Sequence, residues 1–372
     1  MRIGIDASWA AALGTGTGSY THGLVRALVQ HDQHEFVLYF RPGDDRDNPL
    51  FALAAPNVRR RVVDGWRQPG RSLIALARAA FRDRLNVYHS PGYFLPLWRG
   101  PKVVTFHDVN MFLMWNKWWR PGMRTSWAGL CAQTVIASRL ATQIAADSND
   151  AARQIGRVLR VSRERISVLY PGVDEMFFDA PLSEEATRLR EGHDLDEYVL
   201  SVGVLSPQKN LEGIVRAFAL SQPGNTKLAI VGREDGPYFR QRIMPLVAQL
   251  GIREKVKVLG VVPRAALPAL YSGATAFLYP SYAEGFGLPP LEAMARGAPV
   301  LASNRSSLPE VLDEAAILVD PDDVEAIAAG IRRLYSDAAL RAVLSDRGRR
   351  QAAKFRWGAS ARRALQIYAS VA

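Results

Sequence analysis

A single cysteine, Cys131, stands in a chain of 372 residues. That excludes an internal disulfide framework and a cysteine-built zinc site, and it suits a reducing cytoplasm. Long hydrophobic runs are missing too. No run of about 18 apolar residues occurs, and the most apolar long stretch, residues 128–147, is broken by Arg139, so no membrane-spanning helix is expected. The chain opens Met1-Arg2-Ile3-Gly4-Ile5-Asp6, which reads as a strand and not as a signal peptide. There is no HExxH, no paired His/Asp spacing and no DxD after a strand, so no bound metal is expected. Low-complexity segments and solenoid-length repeats are absent, and no charge run exceeds Arg59-Arg60-Arg61.

Charge of one sign is scarce only in part of the chain. The net charge is +11, from 47 basic and 36 acidic residues. Residues 1–172 carry 23 basic and 12 acidic side chains, whereas residues 173–372 carry 24 of each, so the whole excess lies in the first half. A basic half suits nucleic acid, an anionic membrane surface or an anionic substrate. Arginine outnumbers lysine 40 to 7 and alanine is abundant, which suits a GC-rich genome equally well. Composition alone does not choose between these readings. The apolar fraction of 48% belongs to a soluble globular chain, and the length suits two domains.

Short β-branched runs alternate with longer amphipathic stretches. Strands are expected at 2–6, 35–40, 86–89, 102–106 and 142–146, with helices at 18–30 and 70–83 among them. The second half alternates more regularly, with strands at 198–203, 227–231, 256–260, 275–280, 299–302 and 315–319. Helices are expected near 210–220, 237–250, 264–272, 289–296 and 322–335, then at 338–353 and 357–371. Such alternation implies parallel sheets covered on both faces, and two series imply two doubly wound α/β domains. The joint falls at Pro171-Gly172-Val173-Asp174. The expected boundaries are 1–172, 173–353 and a last helical piece, 354–372, packing back on the first domain. Ligands of open parallel sheets bind beyond the carboxyl ends of the strands, so the residues just after each strand are the candidates.

The most informative segment is Glu284 to Glu292, EGFGLPPLE, after the apolar run Ala276–Pro280. Pro289 and Pro290 suit a first helical turn, and Gly297 suits the helix end. Gly285 and Gly287 let backbone approach a ligand, and the helix start at Leu288 offers N–H groups and positive dipole to a diphosphate. Glu292, one turn further in, repels phosphate but accepts two hydrogen bonds from vicinal hydroxyls. A phosphate-binding helix end flanked by carboxylates for hydroxyls describes a sugar-nucleotide site; the alternative is a glycine turn with two solvated glutamates.

Three further elements lie after strands. Lys209, in Ser206-Pro207-Gln208-Lys209-Asn210, opens a helix where it can neutralise a diphosphate, although lysines at helix starts are common. Gly14-Thr15-Gly16-Thr17-Gly18 reads as a glycine-rich loop ahead of a helix, open to closing over a ligand. It is not the dinucleotide fingerprint, because Tyr20 and Thr21 stand where its third glycine would fall. His107-Asp108 follows the strand Val103–Phe106, where His107 can bond a sugar hydroxyl and Asp108 can orient the imidazole, or the pair can be a satisfied loop.

In this order, these elements resemble the retaining glycosyltransferases of family 4. The resemblance spans GTGSY at 16–20, HD at 107–108, PGVD at 171–174, SPQKN at 206–210, the E-x7-E signature at 284–292, SNRSSLPEV at 303–311 and FRW at 355–357. It implies a GT-B fold, two Rossmann-like domains facing a central cleft, with the acceptor on the N-terminal domain and the nucleotide sugar on the C-terminal one. By that resemblance, Lys209, Glu284 and His107 are the catalytic candidates. Glu292 would bind the donor ribose, Glu284 the sugar near its 3-hydroxyl, and Gly285, Phe286, Gly287 and Leu288 would offer backbone groups. Gly16, with Gly18, would close over the diphosphate, His107 would touch the 6-hydroxyl, and Asp108 would belong to the same substrate site. No cofactor and no metal are implied, since lysine and helix dipole meet the leaving-group charge. Gln208 departs from the family, where arginine often precedes the lysine, which leaves more of that charge to Lys209.

The implied activity is hexose transfer, mannose from GDP-mannose favoured, to a saccharide or lipid-linked saccharide in bacterial polysaccharide assembly. A sugar-nucleotide epimerase or hydrolase of the same fold is the alternative. A basic nucleic-acid binder is a third reading, against which stand dispersed arginines and no recognised nucleic-acid motif. The expected place is the cytoplasm, at the inner face of the membrane if residues 111–127 rest on anionic lipid. That stretch interleaves Trp115, Trp118, Trp119 and Trp127 with Lys117, Arg120 and Arg124, and suits either a lipid interface or an inward-packed helix.

Overall fold

The computed structural model describes residues 1–64, 71–113, 124–179, 184–222, 224–234 and 236–372. The chain forms two compact units, one of Met1–Gly172 with Arg356–Ala372 and one of Val173–Phe355.

The first unit is built on seven strands: β1 (Arg2–Asp6), β2 (Glu35–Phe40), β3 (Val58–Val62), β4 (Val87–Ser90), β5 (Lys102–Phe106), β6 (Gln143–Ala146) and β7 (Ile166–Val168). Their order is β3-β2-β1-β4-β5-β6-β7, and all pairs are parallel. Side chains alternate across β2. Phe36, Leu38 and Phe40 enter one core with Ile3, Ile5, Leu24 and Leu28, while Val37 and Tyr39 enter another with Leu76, Val104, Phe106 and Ile155. Both faces are covered, which is why the strands read as nearly continuous apolar runs.

Two strands of this sheet escape a reading by apolar pattern. β3 is Val-Arg-Arg-Arg-Val, an edge strand whose arginines face solvent, and an edge needs no apolar face on both sides. β7 is only three residues long.

Helix Gly16–Leu28 begins two residues earlier than its apolar pattern suggests, because Thr15 accepts a hydrogen bond from Gly18 N at 3.1 Å and caps it. Gly16 and Gly18 therefore stand in a first helical turn, which corrects the expectation of a loop. Gly18 packs on backbone: a Cβ there would lie 2.0 Å from the Ala12 carbonyl oxygen. Helix Trp357–Val371 belongs to this unit, and its Trp357, Ala361, Ala364 and Tyr368 form one buried face.

The second unit has six strands: β8 (Tyr198–Val202), β9 (Lys227–Val231), β10 (Val256–Gly260), β11 (Ala276–Tyr279), β12 (Val300–Ser303) and β13 (Ala316–Val319). Their parallel order is β10-β9-β8-β11-β12-β13. The chain reverses direction of winding between β8 and β11, so the loops after these two strands lie side by side. That switch point is where such sheets bind ligands. Among the described residues, no helix is long and apolar enough to cross a membrane.

Candidate active site

The turn after β8 carries Lys209. Pro207–Lys209 form one tight helical turn, and Asn210 then takes a left-handed conformation with φ 54°. Asparagine tolerates that conformation and does two further things here. Its Oδ1 accepts from Gly213 N at 3.1 Å, capping helix Leu211–Ser221, and its Nδ2 donates to the Pro321 carbonyl at 2.6 Å. Buried on all sides, Asn210 anchors its neighbour, Lys209.

Lys209 Nζ donates to Glu284 Oε1 at 2.6 Å and to the Tyr279 hydroxyl at 2.7 Å, and it lies over the Tyr279 ring. Two of its three N–H donors are thus committed. Gln208 ties the same turn to the loop after β11: its Nε2 donates to the Ala283 carbonyl at 2.6 Å, and its own carbonyl accepts from Tyr282 N. The residue that departs from the family pattern has a structural task in this chain, joining the two loops of the switch point.

The loop from Glu284 to Gly287 is held from below by two serines. Ser306 Oγ accepts from Glu284 N at 2.9 Å, and Ser307 Oγ faces the carbonyls of Glu284 and Phe286 at 3.0 and 2.8 Å. Gly287 has φ 113°, and a Cβ there would meet Leu308 at 2.7 Å, so this turn needs glycine. Helix Leu288–Ala295 starts at once, with prolines in its first turn where no intrahelical N–H is lost. Gly285, Phe286, Gly287 and Leu288 therefore lead directly into a helix N-terminus, as their sequence suggests.

Glu292 is buried one turn inside this helix. Its Oε2 accepts from the Tyr271 hydroxyl at 3.2 Å, and its Oε1 lies 3.7 Å from Arg264 Nη2. Burial pushes its pKa up; Arg264 and the Tyr271 hydroxyl favour the charged form, and Asp174 opposes them. Lys209, Glu284 and Glu292 are thus brought to the same end of one sheet, as their sequence contexts suggest.

His107 and Asp108 lie in the first unit, after β5. His107 Nδ1 bonds Asp147 Oδ2 at 2.7 Å, and Nε2 bonds the Pro91 carbonyl at 3.0 Å. Both ring nitrogens face acceptors that have no proton to give, an arrangement that fits the doubly protonated ring. Burial works against that charge, but the Asp147 carboxylate, with Asp108 and the Pro91 carbonyl, outweighs it and raises the imidazole pKa. The carboxylate that orients the ring is Asp147, not Asp108, whose Oδ1 accepts from Asn110 N at 2.9 Å. The reason is topological: β5 and β6 are neighbours, and Asp147 follows β6 just as His107 follows β5. The His107 ring meets Tyr20, from the helix that begins at Gly16, in an edge-to-face contact at 4.9 Å between centroids.

Below it runs a buried chain of hydrogen bonds. Tyr368 Oη and His89 Nδ1 are 2.6 Å apart, His89 Nε2 and Thr105 Oγ1 2.8 Å, and Thr105 Oγ1 and Tyr20 Oη 3.1 Å. Burial, then the nearby His107 charge, lowers the His89 pKa to about 3. His89 is therefore neutral and structural.

Residues 184–351 match the family of glycosyl transferases group 1, and residues 14–176 match glycosyltransferase family 4. The chain is 32% identical to the O-antigen chain mannosyltransferase B of Escherichia coli, over 92% of this chain and 93% of that one. The chain is a member of the glycosyltransferases. The serotype-specific mannosyltransferase WbdA of Escherichia coli is likewise 32% identical, over 87% of this chain, which spans only 41% of that longer protein. Among solved structures, the sucrose-phosphate synthase of Thermosynechococcus elongatus superposes with a TM-score of 0.77 at 21% identity, covering 99% of this chain and 98% of that one. The fold class of this glycosyltransferase is GT-B.

Sequence reasoning did not single out Arg264, Tyr271, Tyr279 or Asp147. Asp174 and the serines at 306 and 307 appeared only as members of motifs. The glycosyltransferase sequence does carry a signal for two of them: Tyr279 lies in the apolar run before Glu284, and Asp147 follows a strand. Arg264 has no local signal, since one arginine among 40 is unremarkable. Residues 114–123 lie outside the described residues, so most of the tryptophan-rich stretch at 111–127 does too.

Proposed function

We propose that this glycosyltransferase moves a mannosyl residue from GDP-mannose to a saccharide or lipid-linked saccharide, with retention of anomeric configuration and without a bound metal. The observation that carries the reading is the meeting of Lys209 with Glu284 beside the start of helix Leu288–Ala295, with Glu292 buried one turn in. A diphosphate at that helix end takes up dipole and N–H groups, and the uncommitted third donor of Lys209 meets its charge. Glu292 accepts the ribose hydroxyls, and Glu284 the sugar hydroxyls. Mannose as the sugar, and polysaccharide assembly as the setting, are supported by the relative named O-antigen chain mannosyltransferase B.

In the reaction, the C1–O bond to the diphosphate breaks as the C1–O bond to the acceptor forms on the same face. The acceptor hydroxyl proton passes to the departing phosphate oxygen. Lys209 and the helix end stabilise the charge that develops there. The first unit, with its basic excess, is assigned the acceptor, and residues 111–127 a peripheral contact with anionic membrane at the cytoplasmic face.

The test is turnover of GDP-mannose, UDP-glucose and ADP-glucose by the purified protein with mannosyl acceptors. Proton NMR of the product reads the anomeric configuration. Acceptor-dependent release of GDP with an α-linked mannoside is expected, in the presence of a chelator as in its absence. Free mannose or an epimerised donor, formed without acceptor, would replace this reading by the hydrolase or epimerase.

A further inference from the structure

Arg264 opens the Arg264–Ala266 turn after β10, behind Pro263, and its guanidinium lies over the Phe177 ring at 5.5 Å. Its Nη2 stands between two carboxylates, 3.5 Å from Asp174 Oδ2 and 3.7 Å from Glu292 Oε1. The second distance is an ion-pair contact too long for a hydrogen bond, so Arg264 supplies charge to Oε1 without taking its lone pairs. Tyr271 occupies one acceptor position of Oε2 and leaves the rest.

We propose that Arg264 is a positioning residue for the donor: it is the counter-ion that keeps Glu292 ionised next to Asp174, so that both oxygens of Glu292 accept the vicinal hydroxyls of the ribose. The inference rests on the assignment of Glu292 to the ribose in the proposed function and adds what makes that contact work. A vicinal diol offers two donors, and an ionised carboxylate meets them with strong acceptors on both oxygens, whereas a protonated one spends an O–H on one of them. Two carboxylates sharing a site do not both ionise without a cation between them. Burial already disfavours charge on Glu292, and Asp174 adds to that, while Arg264 and the Tyr271 hydroxyl oppose both. The other titratable group facing Glu292 is Tyr279 from β11, a neutral phenol whose pKa burial, then the charge of Glu284, holds far above the ordinary value. Among the described residues, Arg264 is thus the one cation among the groups that set the state of Glu292.

The test is the ratio of dissociation constants for 2′,3′-dideoxy-GDP and GDP, measured by calorimetry on the whole protein from about pH 5.5 to about pH 8, a span above the ordinary carboxylate pKa in which a raised carboxylate titrates. This ratio isolates the diol. In the wild type it stays flat. In Arg264→Gln it falls about tenfold toward the acid end and recovers as pH rises, the size of one lost charge-assisted hydrogen bond. Arg264→Lys keeps the flat profile, because a point charge suffices. Adding Asp174→Asn to Arg264→Gln shifts the recovery to lower pH, because the repulsion is gone. An Arg264→Gln protein that keeps the wild-type ratio at every pH overturns the inference. So does an equal loss at every pH that lysine does not rescue, which marks a merely structural arginine. Glu292→Gln reads the underlying assignment separately: if it leaves the ratio at the wild-type value, the ribose contact itself is wrong and the inference falls with it.

Discussion

Lys209 reaches 75 positions along the chain to place its Nζ 2.6 Å from Glu284 Oε1. The pair is mostly buried, with side-chain exposures of 21% and 10%. Such a pair adds little net stability, yet removing one partner strands the other charge in a poorly solvated place. The geometry therefore separates two roles of Lys209, one in folding and one in turnover.

Lys209→Met is expected to lower turnover by about 10²–10³-fold, the usual effect of removing a donor aimed at developing charge. It should also destabilise the fold by about 1–3 kcal/mol by leaving Glu284 unpaired. Adding Glu284→Gln should restore much of the melting temperature and none of the turnover. Steady-state kinetics and thermal melts on the two variants check both parts. Near-normal turnover in Lys209→Met would remove the lysine from the mechanism.

Asn210 combines a left-handed φ of 54° with a helix cap and a buried bond to Pro321. Asn210→Ala loses all three and should cost about 2–3 kcal/mol in urea denaturation. Asn210→Gly keeps the backbone conformation and should cost less. Equal costs would mean that the left-handed turn contributes nothing.

Gly287→Ala places a methyl group at φ 113° against Leu308. The strain of about 1–3 kcal/mol should distort the start of helix Leu288–Ala295. Weaker GDP binding should accompany the lower melting temperature. Unchanged GDP affinity in Gly287→Ala would separate the helix start from the diphosphate.

His89 and Asp6 give opposite pH dependence to stability. Burial depresses the His89 pKa from 6.5 to about 3, so the unfolded chain binds the proton more readily. Its contribution is present above about pH 6.5 and is lost as pH falls toward 3. Burial raises the Asp6 pKa from 3.8 to about 6, so its cost appears as pH rises through that interval. The difference between wild type and His89→Gln, measured by denaturation between about pH 4 and about pH 7, isolates the histidine. The variant should lose less stability on acidification than the wild type. Parallel curves would show that His89 is not the titrating group.

Asp147→Asn removes the carboxylate that faces His107 Nδ1. The imidazole pKa should then fall, because burial is no longer outweighed. Proton NMR of the His107 ring should show its titration midpoint moving to lower pH. The same experiment on Asp108→Asn should give the smaller shift, since Asp108 bonds Asn110 and not the ring.

Much of the fold is legible in the chain. The runs at 2–6, 35–40, 102–106 and 227–231 coincide with strands, because strands covered on both faces are nearly continuously apolar, and the edge strand at 256–260 coincides with its run of two valines and a leucine. β3 was hidden because an edge strand of arginines carries no apolar signature. The start of helix Gly16–Leu28 was hidden because a threonine cap, not an apolar residue, sets it. At the site, Glu284, Glu292 and Lys209 are visible through their glycines, prolines and place after strands. Arg264 is not, since nothing beside it in the chain speaks of Glu292, 28 positions on.

The sequence by itself determined that the chain alternates strands with helices, carries a glycine-proline helix start between two glutamates, and has no long apolar span. Those are local properties, set by backbone preference and periodicity. Tertiary structure alone decided which groups meet. Asp147 orients His107 across 40 positions and Tyr368 satisfies His89 across 279, because β5 pairs with β6 and the last helix packs on helix Gly16–Leu28 in the core that Val87 of β4 enters. Strand order makes these neighbours, and alternation leaves strand order open. The charge state of a buried carboxylate such as Glu292 follows from those neighbours, so it too is decided only by the folded chain.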